Sequence, residues 1–180
     1  MDEARLEDGG SGLAPAEDGW FVVNVRDAEW LTSPAFGSSC RFESREAWFR
    51  EVGINLRVLE PGVPNCLYHT ESLQEAFLVL AGECRLLVDG EERLLGAWDF
   101  FHCPPGTEHV FVGAGEGPCV ILMVGARSED ERLFYPASEL AAKYGASAEV
   151  ATPDPEQAYA EYERSDRGRP ASWDRLPWAQ

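Results

Sequence analysis

Two short segments carry most of the side chains in this sequence that could hold a metal ion. The first is HTESLQE (69–75), in which His69 and Glu71 share one face if the segment is a strand. Glu75 begins an apolar run that ends before Gly82, so its carboxylate is expected at a strand end beside the other two. The second segment, PPGTEH (104–109), has a Pro/Gly turn that places His109 at the start of another strand.

Two imidazoles and a carboxylate on rigid strands match the arrangement that binds Fe(II), Mn(II) or Zn(II) and leaves coordination positions open to substrate. A single histidine near a turn more often has a structural hydrogen-bonding role. Two such histidines with a carboxylate favour a metal ion. The sequence therefore predicts one divalent metal site.

The elements that must position these residues are short. From residue 19 to 126, apolar or alternating runs of strand length are separated by Pro, Gly, Asn and Asp, which is typical of an all-β sandwich or barrel. Asp89-Gly90 has the residue types of a two-residue hairpin turn. The predicted strands are Trp20–Val25, Ser39–Glu43, Ile54–Glu60, Cys66–His69, Glu75–Leu80, Cys84–Val88, Glu91–Leu95, Trp98–Cys103, Glu108–Val112 and Cys119–Val124.

The two ends of the chain have a different composition. Residues 1–18 are acidic and lack periodicity, which predicts a flexible N-terminal arm before the barrel domain of residues 19–126. Residues 127–180 predict a C-terminal extension with one or two helices, at Pro136–Tyr144 and about 154–162. Its tryptophans would be costly to leave in water, so we expect it to pack on the barrel or on a partner subunit.

Composition excludes several classes of function. The formal net charge of -17 repels nucleic acid and anionic lipid. No apolar run approaches the roughly 20 residues that cross a bilayer, and no secretory signal is visible, so we expect a cytoplasmic protein. The 5 cysteines contain no Cys-x-x-Cys pair and are expected to be reduced, mostly buried thiols.

The two segments resemble the two motifs of the cupin family. The first motif, a Gly, a His-x-His pair, a Glu and a Gly, is matched here by Gly62, His69, Glu71, Glu75 and Gly82. The second, Gly-Asp followed by Pro-x-Gly and a His, is matched by Asp99, Pro104, Gly106 and His109. The sequence departs from the pattern at three positions, where the family usually has His, Gly and Asn: Glu71, Trp98 and Gly113.

This resemblance covers about residues 52–124 and implies a double-stranded β-helix (jelly-roll) barrel with metal ligands at its mouth. It implies that His69, Glu75 and His109 bind Fe, Mn or Zn, and that Glu71 is either a fourth ligand or the general acid/base. A solvated or hydrogen-bonded carboxylate is an equal alternative for Glu71. The resemblance also suggests a homodimer, formed through sheet faces or an exchanged edge such as Trp20–Val25.

Five further residues are candidates for binding a substrate. Tyr68 and Arg57 could contact a polar or anionic substrate, although packing or a surface ion pair is their more common role. His102 could face the cavity only if its neighbour in the alternating strand does not. Phe77 and Phe111 could wall an apolar pocket, or belong to the core.

The sequence thus favours a metal-dependent enzyme that acts on a small, oxygen-rich organic molecule, by dioxygenase-like or isomerase-like chemistry. The alternative is a non-catalytic cupin that binds or senses a small molecule.

Overall fold

The computed structural model describes residues 1–179, which form fourteen β-strands and only short helices. The predicted all-β class is therefore confirmed. The first seven strands are β1 Leu6–Asp8, β2 Leu13–Pro15, β3 Glu29–Ser33, β4 Gly37–Arg41, β5 Val52–Leu59, β6 Thr70–Glu71 and β7 Glu75–Ala81. The others are β8 Glu83–Val88, β9 Glu91–Gly96, β10 Phe100–Cys103, β11 His109–Ala114, β12 Cys119–Ala126, β13 Leu133–Phe134 and β14 Asp166–Arg167. The helices are α1 Glu139–Ala142, α2 Pro155–Ala158 and a 3-10 turn at Trp173–Arg175.

Two antiparallel sheets enclose the main core. The larger has the order β10-β7-β12-β5-β4-β3-β14, and the smaller has the order β11-β8-β9. In β7, Phe77 and Val79 are buried while their neighbours are less so, as the two-residue period of a strand requires. They pack with Phe111 and Leu86 of the smaller sheet. No helix within residues 1–179 is long and apolar enough to cross a membrane.

Strand β11 is buried at every position because both of its faces are covered. Phe111 points into the barrel core. Val110 and Val112 point the other way and pack on Ala141 of α1 and on Ala146. The C-terminal extension therefore covers the outside of the strand that carries His109.

The end of the described chain packs on the larger sheet. Trp30 of β3 is fully buried, and its indole Nε1 donates to the carbonyl oxygen of Val25 at 3.0 Å. The rings of Trp173 and Trp178 lie 5.6 and 5.5 Å from the Trp30 ring. These three indoles, with Leu176, form a second core on the far side of the sheet.

The structure corrects several predicted elements outside the barrel. Residues 1–18, predicted to be a flexible arm, contain the hairpin β1–β2. Trp20–Val25, predicted as a strand and a dimer edge, forms no strand; Trp20 makes only a bridge to Glu3. A strand requires a hydrogen-bonding partner, and both edges of β3 are already occupied by β4 and β14. Cys66–His69 also forms no strand beyond one bridge at His69.

Other local predictions agree with the structure. Asp89 and Gly90 both have positive φ, 45° and 78°, and join β8 to β9 in the predicted two-residue hairpin. The two helices are shorter than predicted. Each begins with a side-chain cap, from Ser138 for α1 and from Asp154 for α2.

The glycine at position 113, where the family pattern has Asn, is required by a close backbone approach. Gly113 accepts a hydrogen bond from the Gly62 amide at 2.8 Å and donates to the Val63 carbonyl at 2.9 Å. A Cβ atom at Gly113 would lie 2.1 Å from the carbonyl oxygen of Glu60. Because that neighbour is backbone, it cannot turn aside as a flexible side chain would.

We predict that Gly113→Ala lowers the free energy of unfolding by about 3 kcal/mol, since the barrel must shift to admit a methyl group. Gly96→Ala is the matched control, because a Cβ there meets nothing within 4 Å. Urea denaturation followed by tryptophan fluorescence measures both. Equal stability of the two variants would contradict the close approach.

Trp98, which stands where the family pattern has Gly, has a left-handed backbone with φ 76° and an indole that is 74% exposed. Its amide donates to the Val79 carbonyl at 2.7 Å, which fixes this conformation in the turn between β9 and β10. A residue with a Cβ is strained in that region of φ.

Trp98→Gly is accordingly predicted to raise the free energy of unfolding by about 0.5–1 kcal/mol, the relief of strain less the added entropy of the unfolded chain. Trp98→Ala removes the indole but keeps the strain, so it should give no such gain. Thermal unfolding of the three proteins decides the question, and a gain in both variants would attribute the effect to the indole instead.

Candidate metal site

One antiparallel bridge joins the two predicted motifs. The His69 amide donates to the His109 carbonyl at 3.2 Å, and the His109 amide donates to the His69 carbonyl at 2.9 Å. The Gly106 amide of the Pro-Pro-Gly turn donates to the carbonyl oxygen of Glu71 at 2.7 Å, which adds a second tie. Glu75 enters from the larger sheet, at the start of β7. The side chains that were predicted to converge therefore come from three separate elements.

The histidine rings are held in the orientation that a metal ligand needs. Nδ1 of His69 lies 2.8 Å from the carbonyl oxygen of Leu67, and Nδ1 of His109 lies 3.1 Å from that of Thr107. A carbonyl oxygen only accepts, so each Nδ1 carries the proton and each neutral ring keeps its lone pair on Nε2. Backbone carbonyls commonly fix metal-binding histidines in this way.

Both Nε2 atoms face carboxylates. His69 Nε2 lies 3.4 Å from an oxygen of Glu71, and His109 Nε2 lies 3.2 Å from Oε2 of Glu75. Oε2 of Glu75 is nevertheless buried without an assigned hydrogen-bond partner. Two electron-pair donors this close require a cation between or beside them.

The donor set fits a divalent metal ion. One ligand atom from each of His69, Glu75 and His109 lies within 4.8 Å of the other two. Two imidazole nitrogens and one carboxylate oxygen are the donors that suit Fe, Mn or Zn. Glu71 is not a member of this mutually close group, although it adjoins His69.

The carboxylates also control the charge of the rings. Burial disfavours the charged form of His109, but the Cys103 thiol and Glu75 outweigh it and raise its pKa to about 10. Burial likewise opposes protonation of His69, and Cys66 and Glu71 raise its pKa in turn. The site therefore stabilises positive charge at both rings, as a proton or as a metal ion.

A further carboxylate at this site, Glu131, was not among the predicted residues. Strand β13 pairs with β6, with Leu133 opposite Glu71, and this brings Glu131 to the same cavity. Burial and the neighbouring Glu71 and Glu75 raise the pKa of Glu131 to about 7. In the sequence, Glu131 lies in a charged stretch after the barrel, and no local pattern sets it apart from the other acidic residues there. Only the pairing of β13 with β6 distinguishes it.

The metal-site residues line a cavity of about 310 Å³, a size that suits a small organic molecule. Of the predicted substrate-binding residues, Arg57 and Phe77 line it. Aromatic and amide side chains that the sequence did not single out complete the wall: Asn55, Asn65, Tyr135 and Tyr159.

Three predicted substrate-binding residues lie elsewhere. Tyr68 is buried against α1, and its hydroxyl accepts from the Gly90 amide at 3.0 Å, on the opposite side of β11. His102 is exposed because Cys103, its neighbour in β10, takes the inward position. Phe111 is fully buried in the core, 4.8 Å from the Phe77 ring. Strand alternation explains the outward position of His102, whereas Phe111 shares the inward face of β11 with His109 and lies in the core.

We predict about one equivalent of Fe, Mn or Zn per chain, and its loss in Glu75→Gln and His69→Ala. His102→Ala is the matched control, because it removes the remaining histidine, which lies outside the cavity. Elemental analysis of protein purified anaerobically without a histidine tag gives the answer. Metal that persists in both site variants would contradict the assignment, as would a wild-type protein that stays metal-free after reloading.

Comparison with known proteins shows which proteins the barrel resembles. Residues 55–125 match the family model described as a cupin domain. A sugar phosphate isomerase from a cupin superfamily, from Silicibacter pomeroyi DSS-3, is 26% identical with a TM-score of 0.56, and the match covers 63% of this chain and 80% of that one. A comparison with curated proteins gives no match.

Two more solved structures share the fold alone. A predicted oxalate decarboxylase from Thermotoga maritima is 21% identical with a TM-score of 0.52, covering 59% of this chain and 99% of that one. A polyketide cyclase from Streptomyces resistomycificus is 13% identical with a TM-score of 0.51, covering 88% of this chain and 94% of that one. The predicted jelly-roll barrel is thereby confirmed, and the reaction is left open, because this fold supports many.

Proposed function

We propose that this chain, whose residues 55–125 match the cupin domain model, is a metal-dependent isomerase-type enzyme that moves a proton on a small hydroxylated carbonyl compound. The observation that carries the proposal is the position of Glu71. This carboxylate lines the cavity beside His69 but stays outside the group of three mutually close ligands. A carboxylate so placed can transfer a proton without leaving a metal.

The reaction needs a Lewis acid and a base. A divalent ion held by His69, Glu75 and His109 would polarise a substrate carbonyl and so acidify the neighbouring C–H bond. Glu71 accepts that proton and returns it to the adjacent carbon, which requires only one side chain on one face of the substrate. Glu131, in the same cavity, is placed to exchange a proton with the substrate oxygens.

The relative from Silicibacter pomeroyi supports isomerisation over oxidation, since it is described as a sugar phosphate isomerase and resembles this chain in sequence as well as in fold. The oxalate decarboxylase likeness adds no argument about the reaction, because it reflects the fold alone.

A direct test is incorporation of deuterium from D2O into aldoses, ketoses and their phosphates, followed by NMR with metal-loaded protein. Glu71→Gln is expected to lower the exchange rate by a factor of about 100 or more, the usual contribution of a general base, while the metal content stays near that of the wild type. Glu129→Gln, an exposed carboxylate on the segment that leads to the cavity, is the control and should exchange normally.

Two outcomes would overturn the proposal. Full exchange by Glu71→Gln would remove Glu71 from the reaction. Consumption of O2 by the iron-loaded protein, without exchange into any of these substrates, would favour the dioxygenase class instead.

A further inference from the structure

The inference below rests on the proposed function and concerns how the protein binds the part of the substrate that does not react. Arg57 lies on β5, opposite Ser39 of β4 and Ile121 of β12. Its side chain lines the metal-site cavity and also a larger adjoining groove of about 900 Å³. Asn55 and Arg127 line both spaces as well, so the two spaces lie side by side at these three residues.

The guanidinium of Arg57 has few partners within residues 1–179. It forms no ion pair there, and its hydrogen bond is a long one, from Nη1 to the carbonyl oxygen of Phe36 at 3.4 Å. Its Nε is buried without a partner. A guanidinium retains its charge at all ordinary pH values, and a buried charge without a partner is costly. The arrangement is the one expected of a group that binds an external anion.

Two neighbours of Arg57 on the same face of the sheet also have polar groups that are available to a ligand. Asn55, two residues earlier in β5, has a buried Oδ1 without a hydrogen-bond partner. Arg41 of β4 pairs with Asn55 in register, lines the groove and makes no ion pair among the described residues. Ser39 and Arg41 therefore project on the same face as Arg57, so two guanidinium groups flank one polar strip.

By contrast, the guanidinium of Arg127, which lines the same two spaces, has several partners within the protein. It binds Glu43 through two hydrogen bonds, at 2.6 and 2.7 Å, donates to the carbonyl oxygen of Phe49 at 2.7 Å and stacks on the Trp48 ring at 3.7 Å. Its charge is neutralised inside the protein. Arg57 and Arg41 lack such a carboxylate, although acidic residues outnumber basic ones by 32 to 15 in the sequence.

The lining of the groove is richer in basic residues than the rest of this acidic chain, although five carboxylates also line it. Six of the 15 basic residues line it, in a protein whose formal net charge is -17. Three of the six are engaged with carboxylates of the same chain, and three are not. The six are Arg5, Arg41, Arg45, Arg57, Arg127 and Arg167.

We propose that Arg57 and Arg41 form an anion subsite that binds the phosphate or carboxylate group of a hydroxylated substrate whose carbonyl lies at the metal site. Arginine is suited to this because its planar fork makes two parallel hydrogen bonds to either group. The free Oδ1 of Asn55 accepts a hydrogen bond from a substrate hydroxyl between the two ends. The substrate class is thus an anionic sugar derivative, bound with its charge in the groove and its carbonyl in the cavity.

The test uses the full chain stripped of metal with a chelator, so that an anion cannot bind the metal instead. Inorganic phosphate and malonate are titrated at constant ionic strength, and binding is followed by calorimetry and by the rise in Tm. Phosphate binding with weak malonate binding would assign a phosphate group, and the reverse would assign a carboxylate. Because the chain is strongly acidic, anions are not expected to bind elsewhere.

Arg57→Gln and Arg41→Gln are each expected to weaken binding of the preferred anion by about tenfold or more. Arg93→Gln is the matched control, since it removes one positive charge from an exposed arginine of β9 that pairs with Glu91. Arg41 is exposed, so its variant keeps the test valid if Arg57→Gln folds poorly.

Absence of binding of both anions to the wild-type chain would overturn the subsite, as would unchanged affinity in both arginine variants. Neither result depends on the isomerase activity, because the binding is measured without metal. Conversely, anion binding that requires Arg57 would stand even if no isomerisation were found.

Discussion

The antiparallel bridge between His69 and His109 is the contact on which the remaining architecture depends. It pairs a residue just before β6 with the first residue of β11, and the two backbones exchange both of their hydrogen bonds. The ring of each histidine is then fixed by a carbonyl two residues earlier in the chain. A small shift of this bridge would turn both Nε2 atoms away from Glu75, which comes from the other sheet.

The site collects negative charge that must be compensated. Three carboxylates and two imidazoles line one cavity, and burial together with the neighbouring Glu71 and Glu75 raises the pKa of Glu131. A cation at the two Nε2 atoms relieves the repulsion between these carboxylates. A divalent ion supplies more positive charge than a proton and leaves a coordination position open to a substrate oxygen. The cluster of carboxylates therefore favours both the binding of a cation and the proposed chemistry.

The C-terminal extension has two roles in positioning the site. Its helix α1 covers the outer face of β11, so the strand that begins at His109 is buried on both faces. Its first part passes back across the cavity, where β13 pairs with β6 and Tyr135 stacks on the His69 ring at 5.7 Å. The extension therefore completes the cavity wall, and Glu131 reaches the site only because of it.

Some of this follows from the sequence alone. The two motifs identified His69, Glu75 and His109 because turn residues and short apolar runs restrict where those side chains can project. The Asp89-Gly90 hairpin and most barrel strands followed from local patterns for the same reason. Tertiary structure alone decided which side chains reach the cavity, and so it separated Arg57 and Phe77 from Tyr68, His102 and Phe111. It also decided that Trp20–Val25 forms no strand beyond one bridge at Trp20, and that Glu131 joins Glu71, because strand pairing between distant segments leaves little trace in local residue order.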